Sequence, residues 1–158
     1  MKMNILKAFI GLSVLSSAYA FSANTISLNF AQGAIPGADH IRGGNIQLMH
    51  DIDSIGVAGA FTWIEKTKSD NYGKIKYASA SLGPTFKLSD AITSYGQAGI
   101  ACGSKFKGSQ TEQTYGPSLS AGINVRANSY LSFNAGYEAG WIEHKQINIL
   151  YTGFGFSF

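Results

Sequence analysis

The residues of this 158-residue chain with the most obvious chemical potential are three histidines, one cysteine and one isolated acid. His40, His50 and His144 fall on separate segments. Glu143 precedes His144, but no serine stands in register with them, so a lipid-modifying hydrolase is only a minor alternative. No His, Cys, Asp or Glu spacing suits a metal, and no glycine motif would cradle a phosphate. No cofactor is therefore expected. Cys102 has no second cysteine to form an internal disulfide and reads as a small apolar wall residue. Glu138 is different, because it sits inside an otherwise uncharged alternating stretch and needs a partner there. Lys87 shares its parity class, but it lies one residue from a turn while Glu138 lies about nine from its own, at ~3.3 Å per residue. That distance leaves the partner unnamed. Glu138 could serve as a proton or ion site; a satisfied interior acid that fixes packing is the favoured reading.

The elements that position these residues are strands. Segments of about ten residues with period-two alternation recur between turn signals. They run over Asn24–Gln32, Ile41–Met49, Ile55–Ile64, Lys74–Leu88, Ile92–Ser104, Tyr115–Val125, Tyr130–Trp141 and Gln146–Phe158. In the last, Leu150, Thr152, Phe154, Phe156 and Phe158 share one parity against Tyr151, Gly153, Gly155 and Ser157. Gly43-Gly44 suggests a bulge or a close approach. Pro84 has no N–H, so an unpaired position is expected there. Connections alternate between terse turns (51–54, 89–90, 126–129) and longer, mostly charged loops (33–39, 65–73, 105–113), with 142–145 joining the last pair.

Glycine is abundant and charge is sparse. Residues 1–20 have a basic start, an apolar run over Ala8–Leu15 and Ala18-Tyr19-Ala20 as a small-x-small cleavage site. They read as a secretory signal peptide, leaving 21–158 as one exported domain. No stretch reaches the roughly 20 apolar residues of a transmembrane helix. One strand face is bulky and apolar; the other is Ser, Thr, Gly, Asn, Gln and Ala, a poor oily core. An eight-stranded barrel is just wide enough for such side chains to fill. The chain therefore reads as an all-β, eight-stranded, antiparallel, up-and-down transmembrane barrel with its apolar parity in lipid. A lipocalin-like soluble barrel would need a charged exterior that neither parity supplies, and a soluble sandwich would leave an exposed aromatic edge. The lumen is expected to be plugged by Asn45, Gln47, Tyr95, Gln97, Asn124, Asn134, Glu138 and Tyr151.

Charge separates the two ends. Arg42, Lys66, Lys68, Lys74, Lys76, Lys105, Lys107 and Lys145 fall on the outer side against five acids, whereas the opposite rim is net acidic. A cationic outer ring suits lipopolysaccharide phosphates and could attract sulfated host glycans. Nucleic acid is not an expected partner.

The ordered set Gly56–Thr62 with Glu65-Lys66, Leu82-Gly83-Pro84, Tyr95-Gly96, Lys105-Phe106, Tyr115-Gly116, Tyr137-Glu138 and Gly153–Phe158 resembles the Ail/OmpX/Lom family of small enterobacterial outer-membrane proteins. The resemblance spans essentially the whole exported chain. It implies an eight-stranded barrel serving in adhesion, invasion, complement resistance or envelope homeostasis. Phe158, with Phe156 and Phe154, looks like the signal read by the barrel-assembly machinery. The segments 33–39 and 142–145 are shorter than in adhesive members and lack exposed aromatic tips. The expected protein is a monomeric, non-enzymatic outer-membrane barrel acting through its outer loops on host proteins, glycans or lipopolysaccharide. A structural or stress-related envelope barrel with no dedicated ligand is the competing class. Folded protein extracted from membranes should migrate faster before boiling than after; identical migration would remove the barrel.

Overall fold

The computed structural model describes residues 24–35, 38–66, 75–107 and 110–158; the expected signal peptide lies outside them. Eight strands follow in chain order: β1 (Asn24–Ile35), β2 (Ala38–Ile52), β3 (Ile55–Lys66), β4 (Ile75–Lys87), β5 (Ile92–Lys107), β6 (Gln110–Arg126), β7 (Leu131–Ile142) and β8 (Lys145–Ser157). Each pairs antiparallel with its sequence neighbours, and β1 pairs with β8 from Thr25↔Ser157 to Ala34↔Asn148, so the sheet closes.

Alternation decides what each face meets. Leu28, Phe30, Phe61, Trp63, Leu82, Ile100, Leu119, Phe133, Phe154 and Phe156 are all exposed. In water so extensive an apolar surface would associate; in a bilayer it is the contact surface. The opposite parity turns inward. Toward the outer end the lumen is apolar, with Ile41, Ile64, Ile142, Ile147 and Ile149 buried together around Tyr77. Below them it is filled by buried Ser, Thr, Asn and Gln.

Several connections differ from expectation. The stretch 33–39 is mostly strand, because β1 and β2 continue to Ile35 and Ala38 with a register shift between Gly33 and Ile35. The stretch 105–113 is also not a loop over its described residues. There β5 and β6 pair continuously up to Lys107↔Gln110, making a long hairpin. Gly43 and Gly44 mark close approach rather than a bulge: added Cβ atoms would lie 1.9 Å from the Trp63 carbonyl oxygen and 2.6 Å from its ring. The register with β3 continues unbroken through both. At Pro84 the partnering with β5 lapses between Leu82↔Ala98 and Thr85↔Tyr95 without a slip, as a missing donor requires.

The turns are tight. Glu143 and His144, which join β7 to β8, both have positive φ (50° and 65°). A two-residue hairpin of the right-handed twist demands this backbone, which is more often supplied by Asn-Gly.

Tyrosines from β4, β5 and β8 pack in the lumen against glycines of β7. A Cβ at Gly136 would lie 2.4 Å from the Tyr95 hydroxyl and 2.5 Å from the Tyr151 ring, and one at Gly140 would lie 2.3 Å from the Tyr77 hydroxyl. Gly136→Ala should therefore overpack this seat and lower stability by about 1–3 kcal/mol. The check is a urea unfolding curve in lipid vesicles, and an unchanged midpoint would show that the tyrosines shift freely.

Candidate functional site

Two regions could do chemistry or binding: the lumen and the outer hairpins. In the lumen Glu138 is 1% exposed and lies on β7 opposite β3 in the closed ring. Its Oε2 accepts from Thr62 Oγ1 at 2.7 Å. Its Oε1 accepts from Tyr77 OH at 2.6 Å and from Ser79 Oγ at 2.5 Å. Donation continues back around the wall, from Asn45 Nδ2 to Thr62 Oγ1 (2.8 Å) and from Asn29 Nδ2 to Asn45 Oδ1 (2.7 Å). The partner that spacing left unnamed is thus a set of three hydroxyls on β3 and β4. Lys87 is not in contact with Glu138; it pairs with Asp90 at 3.3 Å at the turn.

A second chain crosses at the level of the tyrosines. Asn134 Nδ2 donates to Gln47 Oε1 (2.5 Å), Tyr95 OH donates to Asn134 Oδ1 (2.8 Å), and the Tyr151 hydroxyl lies 3.2 Å from that of Tyr95. Gln97 Oε1 accepts from Ser120 at 2.9 Å and Ser81 at 3.2 Å, and Asn124 Nδ2 donates to Ser132 Oγ at 3.0 Å. At the inner mouth Arg126 on β6 approaches Asp51 on the opposite strand β2 at 3.9 Å. All eight residues expected in the lumen are buried there. Thr62, Tyr77 and Ser79 join them; alternation puts them inside, but only the stagger between strands brings them to Glu138. Bonds that span the lumen at several depths leave little room for an open channel.

The outer side is less uniform than its charge count suggests. Arg42, Glu65 and Lys76 are register partners on β2, β3 and β4, and all three face outward and are exposed. A carboxylate therefore sits between the two cations. Lys66 lies on the inward parity and is half-buried, and Lys145 opens β8 exposed. Lys105 and Lys107 fall in β5, but their side chains lie outside the described residues, as do Lys68 and Lys74 entirely. The feature that sequence reasoning missed is an edge. Pairing of β6 with β7 begins only at Ser118↔Gly140, whereas pairing with β5 extends out to Gln110. Thr111, Glu112 and Gln113 are exposed on that edge, which is tethered near its base where Thr114 Oγ1 donates to Glu143 Oε1 at 2.8 Å. The sequence carries little signal for it, because Thr111 to Thr114 are all polar and show no apolar alternation.

No family model matches the chain. Among curated proteins it is 26% identical to outer membrane protein X of Enterobacter cloacae, over 99% of both chains. It is 25% identical to the attachment invasion locus protein of Yersinia enterocolitica, over 93% of each. These relatives belong to the Ail/OmpX/Lom family, and the chain is similar to them over nearly its whole length. Its fold is that of Ail from Yersinia pestis solved in complex with the heparin analogue sucrose octasulfate, with a TM-score of 0.73 and 21% identity over 87% of this chain and 97% of the other. Like its Ail/OmpX/Lom relatives it is a protein of the outer membrane, which makes the described exposed ring the lipid contact and the long hairpin the outer end.

Within this barrel Glu138 accepts three hydrogen bonds from buried hydroxyls. Glu138→Ala would strand three buried donors at about 1–3 kcal/mol each, whereas Glu138→Gln keeps one acceptor oxygen. Unfolding in lipid vesicles should show the alanine variant well below the glutamine variant. Equal midpoints would mean that the three hydroxyls find other acceptors.

Proposed function

We propose that this barrel is a surface-interaction protein, acting through its outer hairpins in adhesion or resistance to host defence and contacting lipopolysaccharide. The observation that carries the reading is the free edge of β6 beyond Ser118. Unpaired N–H and C=O groups on an exposed strand accept an extended segment of another chain by strand addition, and a barrel that needed only closure would not carry its sheet past its neighbour. The outward Arg42 and Lys76 add a polyanion contact, in keeping with the sulfated ligand in the Yersinia pestis Ail complex. The reading includes export with residues 1–20 removed, assembly through the C-terminal Phe154, Phe156 and Phe158, a monomeric state and no enzymatic activity.

A competing reading, a structural envelope barrel without a dedicated ligand, makes the opposite forecast in a single experiment. Bacteria carrying the wild-type gene, a Gln113→Pro variant that removes an edge donor, or no gene would be compared for serum survival and host-cell binding. The edge variant should resemble the deletion while migrating as folded. Equal survival and binding in all three would favour the structural role. For the charge component, Arg42→Gln with Lys76→Gln should weaken heparin retention several-fold at low salt and little near 1 M, where the Debye length is ~3 Å. Salt-independent retention would remove that contact.

A further inference from the structure

Five hydrogen-bonding side chains gather on the outward face of four consecutive strands at the outer end of the barrel: Tyr137 on β7, Gln146 and Asn148 on β8, Gln32 on β1 and His40 on β2. They belong to the parity that carries Leu150 and Phe30 just below, in the hydrocarbon-facing band. Polar residues on this parity are out of place in lipid tails and in place among headgroups. They are also organised. Tyr137 OH and Gln146 Nε2 both donate to Asn148 Oδ1, at 2.5 and 2.8 Å. Gln32 Nε2 donates to His40 Nδ1 at 3.0 Å.

Between the two groups lies a cleft of about 280 Å³, backed by Gly33 and by the small outward side chain of Ala34, with Leu150 in its lining. The pairing leaves Asn148 Nδ2 and the remaining ring N–H of His40 as donors, and the side-chain oxygens of Gln32 and Gln146 as acceptors. The described lining holds no carboxylate, and Arg42 is the register partner of Gln32 on the same face. Mixed donors and acceptors beside an aromatic ring suit sugar hydroxyls and amides, and an adjacent guanidinium suits a phosphate. An apolar band directly below suits acyl chains.

We propose that this cleft binds the phosphorylated amino-sugar head of an outer-leaflet glycolipid. The inference rests on the reading that the outer end faces lipopolysaccharide, and it adds a recognition site built on neutral hydrogen bonds rather than on the lysines. The two contributions separate by salt. Neutral hydrogen bonds persist near 1 M salt, whereas exposed charge contacts are screened there.

The test is native mass spectrometry of the full barrel, taken from bilayers containing lipopolysaccharide and phosphatidylethanolamine, at low and at about 1 M salt. Wild type should retain lipopolysaccharide in preference to phosphatidylethanolamine at both. Gln32→Leu with Asn148→Leu should lower the salt-resistant retention about tenfold or more, as expected for two lost hydrogen bonds. Arg42→Gln with Lys76→Gln should lower mainly the low-salt part. Tyr137→Phe, which keeps the ring but removes one of the two donors that orient Asn148, should give an intermediate loss and carries the test if the double variant does not fold. Wild-type retention at high salt by the folded cleft variant, or by Tyr137→Phe alone where the double variant is unfolded, would overturn the site. So would equal retention of phosphatidylethanolamine by wild type. Undiminished low-salt retention by the Arg42→Gln, Lys76→Gln variant would count against the charge reading and leave the cleft standing.

Discussion

A backbone N–H or C=O that faces hydrocarbon without a partner costs several kcal/mol, and the architecture follows from avoiding that cost. Eight strands satisfy one another only because β8 returns to β1 along ten register pairs, from Thr25↔Ser157 to Ala34↔Asn148. Closure then fixes the rest. The lumen becomes too narrow for an oily core built from large side chains on every strand, so small polar residues fill it and bond across it. The outer face is left to the lipid.

How the lumen is filled explains its composition. Among the described residues three tyrosines reach inward against wall positions without a side chain; Gly136 and Gly140 supply such positions for Tyr95, Tyr151 and Tyr77. The rings bring hydroxyls to the centre, where Glu138, Asn134 and Gln47 receive or give hydrogen bonds. Glu138 joins the second half of the chain to the first, because its donors Thr62, Tyr77 and Ser79 lie on β3 and β4 while it lies on β7. A buried charge-bearing group of this kind rarely adds net stability over an apolar substitute, but breaking it is expensive.

Much of this was legible in the sequence, and what was not has a physical cause. Period-two alternation gave strand number, strand order and the inward parity, because one residue's slip would turn every side chain over. It placed Glu138 inside but could not say what met it. Contacts across a lumen depend on stagger, which no single strand encodes. The stretches 33–39 and 105–113 read as loops because Gly, Pro and charge dominate them. Beyond the bilayer a strand no longer needs an apolar face, so β5 and β6 continue in polar residues. Summed charge also misled in detail: Glu65 lies between Arg42 and Lys76, and Lys66 turns inward.

The projecting part of β6 has a further consequence. Thr111, Glu112 and Gln113 are exposed and take no part in the described lumen bonding. Substitutions at exposed positions without such partners usually change stability little. The tip of this hairpin can therefore be rewritten residue by residue while the staves beneath it stay fixed, so that what the outer end presents and how the barrel inserts are governed by separate sets of positions.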